Sequence, residues 1–434
     1  MTRDIMNTLI QPGHIQEHNN RLLEKHNRSF QYVSDKLAGE GHDVEKLISD
    51  IGNFQIAIPS WALGAGGTRF GRFQIGGEPR NLYEKIDDVA LIHALTGSAG
   101  SISLHIPWDI PDDARAIIQH ASAAGIAFDS VNSNTFQDQR GQKESYKFGS
   151  LAHTQKSVRD RAIEHNIQVV EYGITLGAKI LTVWLADGSN FPGQIHLRKS
   201  FEYTLESLQK IYKHIPDDFI MLVEYKPYEP NFYSMVIQDW GSSLLLTTKT
   251  GDRCYSLVDL GHHLPNTNIE QIVSRLMMEE KLGGFHFNDS KYGDDDLTVG
   301  SVKPYQLFLI FNELVDGMRD PSCKNRTPAW MIDASHNVKD PLEDLIQSIE
   351  AIKLAYAQAL IVKRDALISV QESNDVTEAQ EILQDAFRTD VRPLLAEARL
   401  RTQHALHPLR LYRDRGIRQA LIQNRGEHSV ATGL

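Results

Sequence analysis

Eight short β-rich runs, separated by helix-compatible sequence, fill the middle of this chain and limit what it can fold into. The runs are Phe54–Ile58, Ile102–Ile106, Ala127–Asn132, Ile180–Leu185, Phe219–Glu224, Tyr255–Leu260, Gly284–Asn288 and Trp330–Asp333. Helical patterns lie between them, among them Ser157–Leu176, Arg198–Lys213, Glu270–Lys281 and Pro304–Val315. Continuous apolar strands alternating with helices specify a parallel sheet covered on both faces. Eight such units in one chain favour a closed α/β architecture, the (β/α)8 TIM barrel, over an open doubly wound sheet.

The ends read differently. Residues 1–53 are expected to form an N-terminal helical segment, with Ile15–Ala38 and Val44–Ile51 packing on a barrel flank or a partner subunit. The catalytic barrel is expected over residues 54–340. From Pro341 the strand rhythm stops, and residues 341–434 read as a C-terminal helical extension for subunit contacts. Within it Leu342–Leu367 and Val376–Arg401 read as two long amphipathic helices, followed by a basic, loosely patterned stretch. A solvated tail that contacts nothing is the plainer alternative.

Charge narrows the function. The 434 residues hold 56 acids against 45 lysines and arginines, a net charge of −11, with no basic block. Such a chain is a poor polyanion binder, which argues against nucleic acid and anionic membranes as partners. Cys254 and Cys323 form no CxxC pair and read as reduced structural thiols. No window approaches the roughly 18 consecutive apolar residues of a membrane span, and the first residues lack a signal-peptide core. A soluble, cytoplasmic protein is expected.

The later strands end in the same kind of residue. The fifth ends in Glu224 and Lys226, the sixth in Asp259, His262 and His263. The seventh runs into His286, Asp289, Asp294, Asp295 and Asp296, and the eighth into Asp333 and His336. Each alone has an ordinary reading as a helix cap, a turn former or a solvated acid. Together they are costly after buried apolar runs unless something cationic sits among them. The C-terminal ends of barrel strands converge on one mouth, where divalent cations would satisfy these groups. Carboxylates with a few imidazoles and no thiolate suit Mn²⁺ or Mg²⁺, with Co²⁺ and Zn²⁺ also compatible. The number of acids suggests two ions. Lys226, two residues past Glu224 and on the same face, suits a site that holds a developing alkoxide.

The earlier strands fit a polyol pocket. Trp61 follows the first strand, His105, Trp108 and Asp109 the second, Asn132 and Asn134 the third, and Trp184 and Asp187 the fourth. Aromatic faces pack on sugar C–H faces, and Asn, Asp and His meet hydroxyls; a core role is the plainer reading of any one tryptophan. Gly64–Phe73 is the one glycine-rich stretch and lacks the GK[ST] of a phosphate loop. It reads as a lid or as a loop reaching a neighbouring subunit, with Phe70 at its tip.

These residues sit in long motifs: PSW at 59–61, SLHIPWD at 103–109, VNSNTF at 131–136, LGHHLPNTN at 260–268, HFNDSKYGDDD at 286–296 and MIDASHN at 331–337. From about Phe54 to about Leu367 the chain resembles the bacterial L-rhamnose isomerases of broad aldose specificity, within the xylose-isomerase-like barrels. The resemblance implies a homotetramer that interconverts L-rhamnose and L-rhamnulose, and other aldoses such as L-mannose, L-lyxose and D-allose, with two Mn²⁺ ions per subunit. It implies one ion held by Glu224, Asp259, His286 and Asp333, and a second by His262, Asp294 and Asp296 with Glu224 bridging. It implies catalytic roles for His105, Lys226 and Asp333, pocket walls at Trp61 and Trp184, and a Phe70 lent to a neighbouring subunit. The rival enzymatic reading is a metal-dependent barrel hydrolase of phosphate esters, against which Lys226, the tryptophans and the acidic charge all argue.

Overall fold

All eight predicted runs form strands. In the computed structural model, which describes residues 9–65, 73–229, 231–334 and 338–429, they are β1 (Ala57–Pro59), β2 (Ser101–Ile106), β3 (Ala127–Ser133), β4 (Ile180–Trp184), β5 (Ile220–Glu224), β6 (Cys254–Asp259), β7 (Leu282–Phe287) and β8 (Ala329–Ile332). Every neighbouring pair is parallel, and β1 closes on β8, giving the expected (β/α)8 barrel. A two-residue antiparallel pair, Gly188–Ser189 with Ser234–Met235, braces the connections after β4 and β5.

Two apolar layers hold the barrel. The larger lies between strands and surrounding helices, where outward residues such as Ile58, Leu104, Val131, Leu181, Val223, Val258, Phe285 and Ile332 are all buried. The smaller plugs the interior below the mouth with Ile220, Leu222 and Leu257. Glycine makes room for that plug: a Cβ at Gly283 would stand 2.4 Å from the Tyr255 Cβ and 2.5 Å from a Leu222 methyl. With the lower interior filled, the open space lies at the strand C-termini.

The N-terminal helix, Pro12–Gly39, packs on the C-terminal helices. Asn19 donates to His404 O at 2.8 Å and accepts from Leu406 N at 2.8 Å, and His26 Nε2 lies 2.8 Å from Glu397 Oε2. The C-terminal extension departs from the sequence reading in three places. Leu342–Leu367 is broken: Pro341–Leu360 ends, and Arg364–Glu372 leaves at 64°. At the break Arg364 donates to Ala359 O and, across to the neighbouring helix Pro304–Arg319, to Asn312 O. Val376–Arg401 is likewise two helices, Val376–Arg388 and Arg392–Arg401, because Pro393 suits a first turn and breaks an interior.

The third departure is the basic stretch, which is ordered into Pro408–Asp414 and Ile417–Arg425. Two of its arginines are placed rather than solvated: Arg425 makes a buried two-pronged pair with Asp88, and Arg418 pairs with Asp340. Arg425 also donates to Gly77 O. Gly77 has φ +70°, and a Cβ there would stand 2.8 Å from Ile422 N, so only glycine lets this helix come so close. No single helix among the described residues is long and apolar enough to cross a membrane.

Candidate active site

Strand parity puts the polar residues inside the mouth. Successive side chains on a strand face opposite ways. Leu222 plugs the interior, so Glu224 and then Lys226 point the same way; Leu257 does the same for Asp259. Adjacent registers line up Asp259 with His286, and His286 with Met331, two residues before Asp333. Glu224, Asp259, His286 and Asp333 therefore meet, with one ligand atom from each lying within 4.8 Å of all the others.

The imidazole of His286 is the hub. Its Nδ1 lies 3.1 Å from Glu224 Oε1, 3.4 Å from Asp333 Oδ2 and 3.7 Å from Asp259 Oδ2. Burial alone would lower its pKa, but Glu224 and Asp333 outweigh burial and raise it well above the ordinary histidine value. Asp259 is fixed through one oxygen: Oδ1 accepts from Gly261 N at 2.7 Å and Asn288 Nδ2 at 2.9 Å. Its other oxygen, Oδ2, is buried with no hydrogen-bond donor. Burial pushes the Asp259 carboxyl up to about 6, with Glu224 and Asp333 adding to the rise against the pull of His262 and His286. Asp333 accepts from Trp61 Nε1 at 2.8 Å, which ties the turn after β1 to the end of β8.

A second group adjoins the first. One ligand atom each from Asp259, His262 and Asp294 also lies within 4.8 Å of the others. His262 Nδ1 faces the Tyr225 carbonyl at 3.1 Å, leaving Nε2 toward Asp294 Oδ1 at 3.0 Å. Glu224 Oε1 lies 3.4 Å from His262 Nδ1, so this carboxylate stands between the two groups. Asp294 and Asp296 both have left-handed backbone, φ 53° and 48°, costly for residues with a side chain. That turn aims Asp294 inward, and Asp296 lines the same cavity. Lys226 Nζ sits 2.5 Å from both Asp294 Oδ2 and Glu229 Oε1, and 5.4 Å from the Trp184 ring centre.

The opposite wall is aromatic. His105 stacks on Trp108, ring centres 4.0 Å apart, and meets Trp61 and Phe136 edge-on. Phe136 in turn packs on Trp184 at 4.7 Å. Burial drives the His105 pKa down to about 3, against a weaker pull from Asp109, so this ring is neutral. Behind it Asp109 is a fully buried anchor. It pairs with Lys85 at 2.6 Å and accepts from His105 N at 2.8 Å and Ser60 Oγ at 2.5 Å, joining the ends of β1 and β2.

Several strand-end residues named from the sequence stand apart from this cavity. His263 turns away and bonds Tyr225 Oη at 2.8 Å. Asp289 accepts from Val302 N and Lys303 N, Asp295 from Lys291 N and Tyr292 N, and Asp187 from Ser150 and Ala152. These are the loop-forming carboxylates that the ordinary reading describes. Phe70 and His336 lie outside the described residues. Sequence reasoning missed Ser133, Phe136 and Thr182, which line the cavity. Thr182 was detectable, because it lies two residues before Trp184 on one strand and shares its inward parity.

No family model matches the chain. Among curated proteins it is 51% identical over 398 residues to a probable sugar isomerase of Rhizobium meliloti (strain 1021), covering 92% of each chain. It is 49% identical over 418 residues to a probable sugar isomerase of Mesorhizobium japonicum, covering 96% of this chain and 97% of the relative. Among solved structures, an L-ribulose 3-epimerase superposes with a TM-score of 0.52 at 13% identity, over 73% of this chain and 98% of that one, a likeness of fold alone. Identity near one half over almost the full length of both chains decides the kinship: this chain belongs to the family of these probable sugar isomerases.

Proposed function

We propose that the protein is a metal-dependent L-rhamnose isomerase that also accepts related aldoses. The observation that carries the metal dependence is the His286 cluster. Three carboxylates surround one ring nitrogen, and a fully buried Asp259 oxygen has no donor. Buried anionic oxygens without donors are rare and expensive, and a cation at their focus removes the cost. The all-oxygen-and-imidazole donor set suits Mn²⁺ or a similar divalent ion. Glu224, Asp259, His286 and Asp333 would hold one ion. His262, Asp294 and Asp296 would hold a second, with Glu224 shared. When bound, these ions supply Lewis-acid polarisation of the sugar's C1 and C2 oxygens. The choice of L-rhamnose comes from the motif resemblance.

The protein's own groups divide the rest of the work. Ring opening moves the anomeric O1 proton to the ring oxygen O5. His105, neutral and with Nδ1 lacking a protein partner, can take that proton and return it. Isomerisation then shifts one hydrogen from C2 to C1 and one proton from O2 to O1, leaving composition unchanged. Lys226, a buried cation fixed by Glu229 and Asp294, favours negative charge developing on a sugar oxygen. Asp333 is kept below the usual carboxylate range, because hydrogen bonds and charge from His286 and the Trp61 bond outweigh burial. It stays an acceptor through the cycle. Trp61, Trp108, Phe136 and Trp184 exclude water and pack on C–H faces.

The test is a coupled ketose assay on L-rhamnose with metal-stripped protein, then with Mn²⁺ restored. Loss on stripping and recovery on addition is expected. Ketose formation unchanged after rigorous chelation would refute the metal role, and phosphate release from esters without any ketose would favour the hydrolase. We also propose a homotetramer in which the Phe70 loop reaches a neighbour. Supporting this, the βα connections at the barrel mouth expose Phe148, Phe191, Tyr233, Leu264, Tyr292 and Val338, an apolar rim that a second copy would cover. Light scattering giving a monomer mass at micromolar concentration would refute it.

A further inference from the structure

One row of polar side chains in the cavity is left over once the metal cluster and the ring-opening histidine are accounted for. Across β2, β3, β4 and β5 the register aligns His105, Asn132, Thr182 and Leu222. Asn132 is committed within the protein, its Nδ2 donating to Leu104 O at 3.0 Å. Thr182 is not. It is 2% exposed, its Oγ1 has no hydrogen-bond partner, and it lines the cavity. Ser133 Oγ, 3% exposed on the neighbouring strand, is in the same condition. Buried hydroxyls are nearly always bonded, and leaving one unmade is costly. Packing alone would favour valine, which has the shape of threonine and a stronger place in a strand flanked by Leu181 and Val183. The surrounding rings of Phe136 and Trp184 offer no acceptor oxygen. The missing partner comes from whatever fills the cavity.

We propose that Thr182 binds a hydroxyl at the distal end of the aldose and sets the preference among aldoses. The inference rests on the aldose reading above. The reacting C1–C2 end lies over the acids of β5 to β8, so the remaining hydroxyls fall toward β3 and β4. A site built to bond a hydroxyl discriminates strongly, because a mismatched sugar leaves the protein group unpaired.

The experiment compares wild type, Thr182→Val, Thr182→Ser and Ser133→Ala, all Mn²⁺-loaded. L-Rhamnose and D-allose are the substrates, since they share configuration at C2 and C3, differ at C4 and C5, and only D-allose carries a hydroxyl at C6. Thr182→Val is expected to raise KM for L-rhamnose about tenfold, the worth of one hydrogen bond, with kcat nearly unchanged. It should shrink the preference between the two sugars by a similar factor. Thr182→Ser, which keeps the hydroxyl, should stay near wild type, and Ser133→Ala should show a smaller loss. Quenching of tryptophan fluorescence by L-rhamnose gives a binding measurement independent of turnover. Thr182→Val with wild-type KM, or an equal loss on both sugars, overturns this proposal while the aldose reading stands. Wild-type protein that neither binds nor converts either sugar overturns both.

Discussion

Strands β5 to β8 and strands β1 to β4 bring opposite chemistry to one cavity. The first half is crowded with charge: four acids and two histidines with few donors between them. The second half is neutral and aromatic, and its charged pair, Lys85–Asp109, is kept behind the wall. Protein packing fills the aromatic half, but His105 Nδ1 and the hydroxyls noted above have no hydrogen-bond partner. The acid half instead leaves a buried Asp259 oxygen without a donor, in a group that could hold a metal ion. The difference sorts the carboxylates by how far protein donors engage them. Asp109 and Asp289, both buried, and the half-buried Asp187 are fully engaged by protein donors, whereas one oxygen of Asp259 is not.

That contrast can be broken at several points. The largest effect is expected at Glu224, the carboxylate between the two groups. Glu224→Gln should lower ketose formation about a thousandfold or more while circular dichroism and melting of the barrel persist. Near-normal turnover would remove Glu224 from the bridging position. In the aromatic half the expected injury is to stability. Asp109→Ala removes the buried acceptor shared by Lys85, His105 N and Ser60 Oγ and should cost about 3–5 kcal/mol of unfolding free energy in denaturant titration. A loss below about 1 kcal/mol would mean that the pair does not hold the β1 and β2 ends together.

The acid half should also answer to pH. His286 binds its proton more tightly in the fold than in the unfolded chain. Its contribution to metal-free stability is therefore present below its ordinary value of 6.5 and lost as pH rises through the raised folded value. Asp259, raised from 3.8 to about 6, follows the same sign. Cations compete with these protons, so Mn²⁺ affinity should rise about tenfold per pH unit through neutrality. The melting-temperature gain on adding Mn²⁺ should grow with pH. A gain independent of pH from 6 to 8 would show that these groups are not the ligands. The smallest effect is expected at the wall: Phe136→Leu loosens the packing on Trp184 and should raise KM about threefold with kcat held. A fall in kcat instead would bring Phe136 into the reacting end.

The sequence supported this reading to different depths in different places. Alternating apolar runs located all eight strands, and the strand ends held every member of both ligand groups. Residue type and spacing alone could not separate Asp294 from Asp295, and only the motif resemblance chose Asp294, because the difference lies in a left-handed backbone that turns one carboxylate inward and leaves the other capping its own loop. Type and spacing likewise gave His262 and His263 equal weight until the motif resemblance chose His262, the one that meets the acids.

The amino-acid order by itself determined the barrel, the face on which its polar residues lie and the kind of donor they offer. These follow from period-two alternation and from residue type, which are local properties. Only the tertiary structure decided which of those donors are already satisfied. It shows Asp259 half-bonded, Asp109 fully bonded and Thr182 without a partner, and it turns the basic C-terminal stretch into a buried brace on Asp88 and Gly77. Hydrogen-bond satisfaction depends on groups far apart in the chain and close in space, so it exists only once the barrel has closed.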